Sequence, residues 1–330
     1  MTLKRIRCRG ISLLLAAMIL TGCGAAPTES ADNKEGTVYL NSVELAVDLE
    51  DEAVALAAAP AAAPTILQPQ AAGTAVKKNG KAIIDYSNIK DGYVMVQYTA
   101  STTKRLKAQV KGPTTTYTYN ITAGKWETFP LSDGNGSYKV VVYENISGTR
   151  YSAVLSAAMN VSMTDEFAPF IRPNQYVDYG PAVQSVAKAA ELTSGVTDPL
   201  VKVQKVYDFV VKNLTYDKQL AANVKSGYLP VLDTVLQKKS GICFDYAALM
   251  TGMLRSQGVP CKLVVGYAGK AYHAWISVWT KESGWIDGAI FFDGTTWSRM
   301  DPTFASSGKQ SDYIMKYIGN DQNYTMKYCY

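Results

Sequence analysis

The sequence predicts an α+β fold in which helices pack on an antiparallel sheet, preceded by a small β-sandwich. Between residues 79 and 163, apolar and polar residues alternate with a period of two, which is typical of strands. From residue 164 onward the apolar spacing becomes helical, and it turns strand-like again near residue 262. The 330 residues are also long enough for two domains plus tails.

Residues 1–23 are predicted to be a lipoprotein signal peptide with its lipid-attachment site. Four basic residues precede an apolar run at 11–20, which is too short to span a membrane comfortably. The run ends in Leu20-Thr21-Gly22-Cys23, which resembles a bacterial lipobox and implies that Cys23 becomes the lipidated first residue of the mature chain. An ordinary secretory signal with an incidental cysteine is the alternative. The protein is therefore expected on the extracytoplasmic face of a membrane, anchored through Cys23.

Residues 24–78 are predicted to be an acidic tether rich in alanine and proline. The stretch at 24–76 contains eight acidic residues and one lysine, and it has too few bulky apolar residues for a core. A flexible chain of about 55 residues spans roughly 40 Å, so the tether would hold the folded part clear of the bilayer.

Charge and cysteine content exclude several classes of protein. The formal charge is +5, and it falls to +1 once residues 1–22, with their four basic side chains, are removed. No basic run is interleaved with aromatic residues, so no nucleic-acid partner is predicted. Cys243, Cys261 and Cys329 remain beyond the lipid site, too few for a disulfide framework. Whether Cys261 and Cys329 pair stays open, and two inert thiols are the favoured alternative.

The segment at 79–163 is predicted to be an antiparallel sandwich of roughly immunoglobulin type. Six or seven short alternating runs contain no helical segment, and glycine-containing turn signals separate them, as at 112–113 and 133–136. No catalytic cluster occurs here. A spacer, a substrate-presenting module and a ligand-binding module are the open interpretations.

The segment at 164–330 is predicted to contain helices followed by an antiparallel sheet. Thr197-Asp198-Pro199 is a helix start signal. The predicted helices are 182–192, one beginning at 199, 230–237 and 243–256. Strand-like runs follow at 262–267, 271–279, 284–292 and 295–300, with an Asp293-Gly294 turn between the last two. The tyrosine-rich tail at 313–330 is a candidate to close this sheet.

A cysteine, the single histidine and an aspartate occur in that order between residues 241 and 305. Cys243 opens an apolar helical stretch in the segment Gly-Ile-Cys-Phe-Asp-Tyr-Ala. His273 lies in the strand-like segment Tyr-His-Ala-Trp, and Asp301 is followed by Pro-Thr. A thiol, an imidazole and a carboxylate are the minimum set for acyl transfer through a thiolate.

Together these motifs resemble the transglutaminase-like superfamily, whose fold is papain-like with a Cys-His-Asp triad. The resemblance implies that Cys243 is the nucleophile, His273 the base and then the acid, and Asp301 the carboxylate that orients the imidazole. A place in the first turn of a helix would favour the thiolate of Cys243. Because His273 and Asp301 are 28 residues apart, longer than the compact bacterial pattern, Asp287 stays open as the alternative acid.

The resemblance also implies donors for an oxyanion and the absence of a cofactor. The backbone N–H of Cys243 is the expected first donor. Gln237, six residues upstream, has the offset seen in papain-like enzymes, and Tyr216 resembles a recurrent aromatic residue of transglutaminase-like domains. No acidic cluster resembles the calcium sites of animal transglutaminases, and a single histidine disfavours a zinc site, so neither a metal nor another cofactor is predicted.

The function predicted from these residues is thiol acyl transfer on amide bonds of surface proteins or wall peptides. The thioester could pass to water, as in a protease or amidase, or to a lysine amine, as in a transglutaminase. How well the site excludes water decides between them, so the sequence leaves both open, with a slight preference for hydrolysis. An inactive lipoprotein that serves as a surface-binding or scaffold module is the alternative.

Overall fold

The computed structural model describes residues 65–281, 284–287, 289–292, 297–299 and 324–330. The predicted signal peptide, Cys23 and most of the predicted tether lie outside these residues, and so does Asp301. All described residues belong to one compact unit, Ala57–Tyr330. In the part of the chain that the structure describes, no helix is both long and apolar enough to cross a membrane.

The N-terminal part consists of two four-stranded antiparallel sheets whose inward side chains share one hydrophobic core. The first sheet has the order β1-β2-β3-β6, and the second has the order β5-β4-β7-β8. The eight strands are β1 (Val76–Lys78), β2 (Ala82–Asp85), β3 (Tyr93–Tyr98), β4 (Leu106–Lys111), β5 (Thr116–Ile121), β6 (Trp126–Pro130), β7 (Gly136–Ser147) and β8 (Arg150–Val161).

Eight strands are present where six or seven were predicted, and one of the eight, β1, lies in the last residues of the predicted tether. The three residues of β1 are exposed, so no alternation of apolar and polar residues marks them in the sequence. The strand is held by its backbone, which pairs antiparallel with β2 from Val76 to Lys78. Ordered structure therefore begins before residue 79.

The C-terminal part has helices packed on a four-stranded antiparallel sheet of order β13-β12-β11-β16, as the sequence predicted. The helices among its described residues are α1 (Gln184–Leu192), α2 (Pro199–Asn213), α3 (Lys218–Asn223), α4 (Leu232–Lys238) and α5 (Cys243–Ser256). The strands are β9 (Thr215–Tyr216), β10 (Ser240–Gly241), β11 (Cys261–Ala268), β12 (Ala271–Thr280), β13 (Gly284–Asp287), β14 (Ala289–Phe292), β15 (Trp297–Arg299) and β16 (Tyr324–Cys329).

The helix start predicted at Asp198-Pro199 is confirmed, since the Asp198 carboxylate accepts a hydrogen bond from the Leu200 N–H at 2.8 Å. The bounds of α5 agree with the prediction. The run predicted as one strand at 284–292 is two strands, because β13 pairs with β12 whereas β14 pairs with β15. The short α3 and the parallel pair of β9 with β10 were not predicted.

The end of the chain closes the sheet, since β16 pairs antiparallel with β11. Arg255 is buried near the end of α5 and stabilises this region by three hydrogen bonds to carbonyl oxygens. Its guanidinium donates to Cys261 at 2.8 Å, to Arg172 at 2.8 Å and to Tyr330 at 2.6 Å. Burial lowers the pKa of Arg255, which reflects the cost of removing this charge from water.

A cluster of tyrosines joins the sandwich to the C-terminal part. The tyrosine cluster consists of Tyr117 and Tyr119 on β5 with Tyr176, Tyr328 and Tyr330. The Tyr330 ring centroid lies 5.5 Å from that of Tyr117 and 4.3 Å from that of Tyr176. The two parts thus share one continuous hydrophobic core, and the boundary between residues 163 and 164 stays a prediction.

Replacing Gly266 with alanine is expected to lower the free energy of unfolding by about 2 kcal/mol. A Cβ at this position would overlap the carbonyl oxygen of Thr325 and lie 3.0 Å from the Cα of Met326, so β11 and β16 would have to separate. Urea denaturation measures the change. Gly80→Ala is the matched control because no atom lies within 4 Å of the Cβ it would add. Equal unfolding midpoints for the two variants would contradict this account.

Candidate functional site

Cys243 is the first residue of α5, and the local sequence explains why the helix begins there. Ile242 precedes it in an extended conformation, with φ −95° and ψ 176°. The carboxylate of Asp245 accepts a hydrogen bond from the Ile242 N–H at 2.8 Å and so ties the first turn to the residue before it. The half-buried thiol therefore lies at the helix end where backbone N–H groups have no helical acceptor and where negative charge is stabilised.

Asp245 is fully buried and links the start of α5 to a neighbouring loop. Its second carboxylate oxygen accepts a hydrogen bond from the Tyr228 hydroxyl at 2.7 Å. Burial raises the pKa of Asp245, although both hydrogen bonds act in the opposite direction. Sequence reasoning did not select this residue, but an acidic residue three positions after a helix cap is a recognised capping signal.

The pH dependence of stability is expected to report on Asp245. Because its pKa is higher in the folded chain than in the unfolded one, the folded chain binds more protons above the ordinary aspartate value of about 3.9. The contribution of Asp245 to the free energy of unfolding therefore increases as the pH falls and decreases as the pH rises. Urea denaturation at several pH values should show the original chain gaining stability relative to Asp245→Asn toward acid. A difference that is constant or of opposite slope would contradict the assignment.

His273 lies on β12, where its partner across the strand pair is Gly266 on β11. The imidazole is 7% exposed, and its ring stacks on Trp275 with a centroid distance of 6.4 Å and an interplanar angle of 22°. The strand thus holds the only histidine of the chain in a fixed and nearly buried position.

Cys243 and His273 line one cavity of about 420 Å³. The volume is in the range of pockets that bind small molecules or short peptide segments. Aromatic side chains line much of it. These are Tyr176, Tyr216, Tyr228, Phe244, Tyr272 and Tyr330. Burial raises the pKa of Tyr272, and nearby groups that include the Cys243 thiol raise it further.

The structure thus brings together three of the residues that the sequence selected and separates another from them. Tyr216, on β9, lines the cavity with Cys243 and His273. Gln237 does not line it. Its exposed side chain lies near the end of α4 and donates a hydrogen bond to the Gln184 side chain at 3.4 Å, because the last turn of α4 faces α1.

Of the two candidate carboxylate residues, only Asp287 is among the described residues. Asp301 lies outside the described residues, so its part in the triad stays a prediction. Asp287 is the last residue of β13, and its backbone pairs with Ser277 on β12.

The sequence did not reveal that the β-sandwich contributes to the cavity. Lys107 on β4, together with Thr118 and Asn120 on β5, lines it. These three residues alternate with the apolar residues that fill the sandwich core, so they lie on the opposite face of the sheet. Only the arrangement of the two parts in space places that face beside Cys243, and no local pattern could have indicated it.

The other two thiols lie away from the cavity and are not joined by a disulfide. Cys261 is fully buried, and burial raises the pKa of its thiol to about 11. Its thiol donates a hydrogen bond to the Thr251 hydroxyl at 3.6 Å. The alternative of two inert thiols therefore fits the structure better than a bridge between Cys261 and Cys329.

Comparisons with known proteins agree with the motifs. Residues 186–302 match the family described as the transglutaminase-like superfamily. The protein-glutamine gamma-glutamyltransferase of Pseudomonas aeruginosa is 32% identical over 68 residues, which cover 16% of this chain and 10% of that protein. The uncharacterized protein ML0607 of Mycobacterium leprae is 26% identical over 189 residues, or 54% of this chain and 63% of that protein. This chain therefore spans less than two thirds of either relative.

Among solved structures, a candidate cysteine protease from Cytophaga hutchinsonii is similar with a TM-score of 0.33. The two are 13% identical, and the match covers 72% of this chain and 75% of that one. The family match alone identifies residues 186–302, which contain both Cys243 and His273, as transglutaminase-like, as their motifs predicted.

Proposed function

We propose that this chain is an enzyme that cleaves amide bonds by acyl transfer through Cys243. The observation that carries the proposal is that Cys243, at the start of a helix, and the only histidine of the chain line one cavity. The family match of residues 186–302 supports it. Asp301 is proposed as the carboxylate that orients the imidazole.

In the proposed mechanism His273 takes the proton of the Cys243 thiol. The sulfur then attacks the carbonyl carbon of an amide, the C–N bond breaks, and His273 returns the proton to the departing amine. The backbone N–H of Cys243 would stabilise the negative charge on the carbonyl oxygen, with the Tyr216 hydroxyl as the candidate second donor. A thioester between the acyl group and Cys243 results.

Water is proposed as the acceptor of this acyl group. Cys243 is half-buried rather than fully enclosed, so water can reach a thioester formed there. Hydrolysis would release the acid and restore the thiol. A peptide-cleavage assay run beside incorporation of dansylcadaverine into a glutamine-rich protein distinguishes the two acceptors, with Cys243→Ala as the control. Incorporation without cleavage would replace hydrolysis by transamidation.

Thiol labelling tests whether Cys243 is a nucleophile at all. Iodoacetamide at pH 6.5 should alkylate Cys243 at least tenfold faster than N-acetylcysteine, while the buried Cys261 remains unmodified until the chain is unfolded. Peptide mapping by mass spectrometry identifies the modified residue. A Cys243 rate no higher than that of N-acetylcysteine would instead favour an inactive surface-binding or scaffold protein.

The proposed location is the extracytoplasmic face of a membrane, with a lipid on Cys23 as the anchor and surface proteins or wall peptides as substrates. The sequence before residue 24 supports this proposal. In a bacterial host, the full chain should fractionate with membranes and incorporate an alkyne-labelled fatty acid, and Cys23→Ala should do neither. Unchanged lipid incorporation in that variant would refute the anchor.

A further inference from the structure

The charged side chains around the cavity share one sign. Among the described residues that line it, Lys107 and Lys225 are the charged ones, and no described aspartate or glutamate is present. Lys225 is exposed on the loop before Tyr228, whereas Lys107 is half-buried on the outer face of the sandwich. A half-buried ammonium group is held more firmly and is screened less by salt than an exposed one.

Lys107 has a neutral partner and a defined position. Its Nζ donates to the Asn120 side-chain oxygen at 2.9 Å and lies 5.5 Å from the centroid of the Tyr151 ring. An ammonium group has three donors, so this bond leaves two for a ligand. None of the ion pairs between described residues includes Lys107.

Two other lysines of the same sandwich form ion pairs with a carboxylate. Lys81 and Lys104 both pair with the Glu144 carboxylate, at 2.9 Å and 2.5 Å. The sandwich thus neutralises these two cations internally, whereas Lys107 presents its charge to the cavity that contains Cys243. An anionic group of a ligand would supply the negatively charged partner that Lys107 does not have among the described residues.

We infer that the substrate is an acidic peptide whose carboxylate binds Lys107 while Cys243 attacks an amide of the same molecule. This inference rests on the proposed function and adds the class of substrate. It makes Lys107 a residue that determines specificity, contributed by the β-sandwich. The same charge repels a free lysine side chain, so it also disfavours an amine as the acceptor.

Matched chloroacetyl peptides test the inference without a known substrate. Chloroacetyl-Gly-Glu-amide and chloroacetyl-Gly-Gln-amide differ only in a carboxylate against a carboxamide. Each alkylates Cys243 as a sulfur–carbon bond forms and chloride leaves. At low ionic strength the full chain should react about fivefold faster with the Glu peptide, as measured by intact mass spectrometry. Salt should reduce this preference.

Variants at position 107 assign the preference to one side chain. Lys107→Glu should abolish or reverse it, whereas Lys107→Arg should retain it. Lys139→Glu is the matched control, because it makes the same charge change at an exposed position on β7 outside the cavity lining. Chloroacetyl-Gly-Gly, compared with its amide, shows whether a carboxylate at the peptide terminus serves as well as one on a side chain.

The outcomes separate this inference from the proposed function. Equal rates for the Glu and Gln peptides, or a preference that survives in Lys107→Glu, would overturn the role of Lys107. The rate with the neutral Gln peptide measures the nucleophilicity of Cys243 alone. If that rate is high and the preference is absent, only the inference fails. A neutral-peptide rate equal to that of a free thiol would remove the proposed function and the inference together.

Discussion

His273→Ala is expected to slow alkylation of Cys243 at pH 6.5 about a hundredfold and to abolish amide cleavage. An unassisted cysteine is only about 1% thiolate at this pH, so removing the residue that acts as the base in the proposed mechanism removes most of the reactive form. Loss of the same group also leaves the departing amine without a proton donor, which costs a further factor of about 10² to 10⁴ in cleavage. Stopped-flow alkylation and a peptide-cleavage assay measure the two effects separately.

Three comparisons make the His273 result interpretable. Gln237→Ala, at a position outside the cavity lining, should keep the original alkylation rate. Added imidazole should restore part of the rate in His273→Ala if the missing group acts as a base. The thermal midpoint of the variant should lie close to that of the original chain. An undiminished alkylation rate in a folded His273→Ala protein would mean that the two residues share a cavity without acting together.

Arg255→Met is expected to lower the free energy of unfolding by about 3 kcal/mol. The three carbonyl oxygens that accept from Arg255 belong to β11, to the segment after β8 and to the end of the chain. Methionine has a similar length but no donors, so these buried acceptors lose their partner. Methionine also removes the free-energy penalty of burying the guanidinium charge, but this gain offsets only part of the loss of the three hydrogen bonds. The midpoint and slope of urea unfolding measure the change.

Arg150→Met is the matched control for Arg255→Met. Arg150 is exposed at the start of β8, so the same substitution there should change stability by less than about 0.5 kcal/mol. If both variants unfold at the same urea concentration, the hydrogen bonds of Arg255 contribute nothing net to the stability.

Local patterns predicted the helix that begins at Cys243 and the strand that contains His273. The helix of Cys243 was predictable at both ends, because an apolar stretch opens after Ser-Gly and stops before Gly258, whose φ is +77°. Strand alternation likewise placed His273. The prediction that Cys243 and His273 lie in one site came from the family resemblance and not from local sequence patterns, because spacing along the chain does not reveal distance in space.

The features that the sequence did not reveal depend on backbone pairing or on contacts between distant segments. The exposed strand β1 has no apolar alternation, and the division of 284–292 into two strands depends on which neighbour each half pairs with. Gln237 has a suggestive offset from Cys243, but α4 directs its side chain toward Gln184. Lys107 lies 136 positions before Cys243, and only the packing of the sandwich brings both to one cavity.

The tyrosine cluster has a consequence for recombinant production. A gene truncated to encode only the transglutaminase-like segment would remove Tyr117 and Tyr119, and Tyr330 would lose two of the rings that it packs against. The product would expose an apolar aromatic surface and would lack the side of the cavity that contains Lys107. Such a fragment should accumulate in inclusion bodies, whereas an expressed chain that starts before β1 should stay in the supernatant.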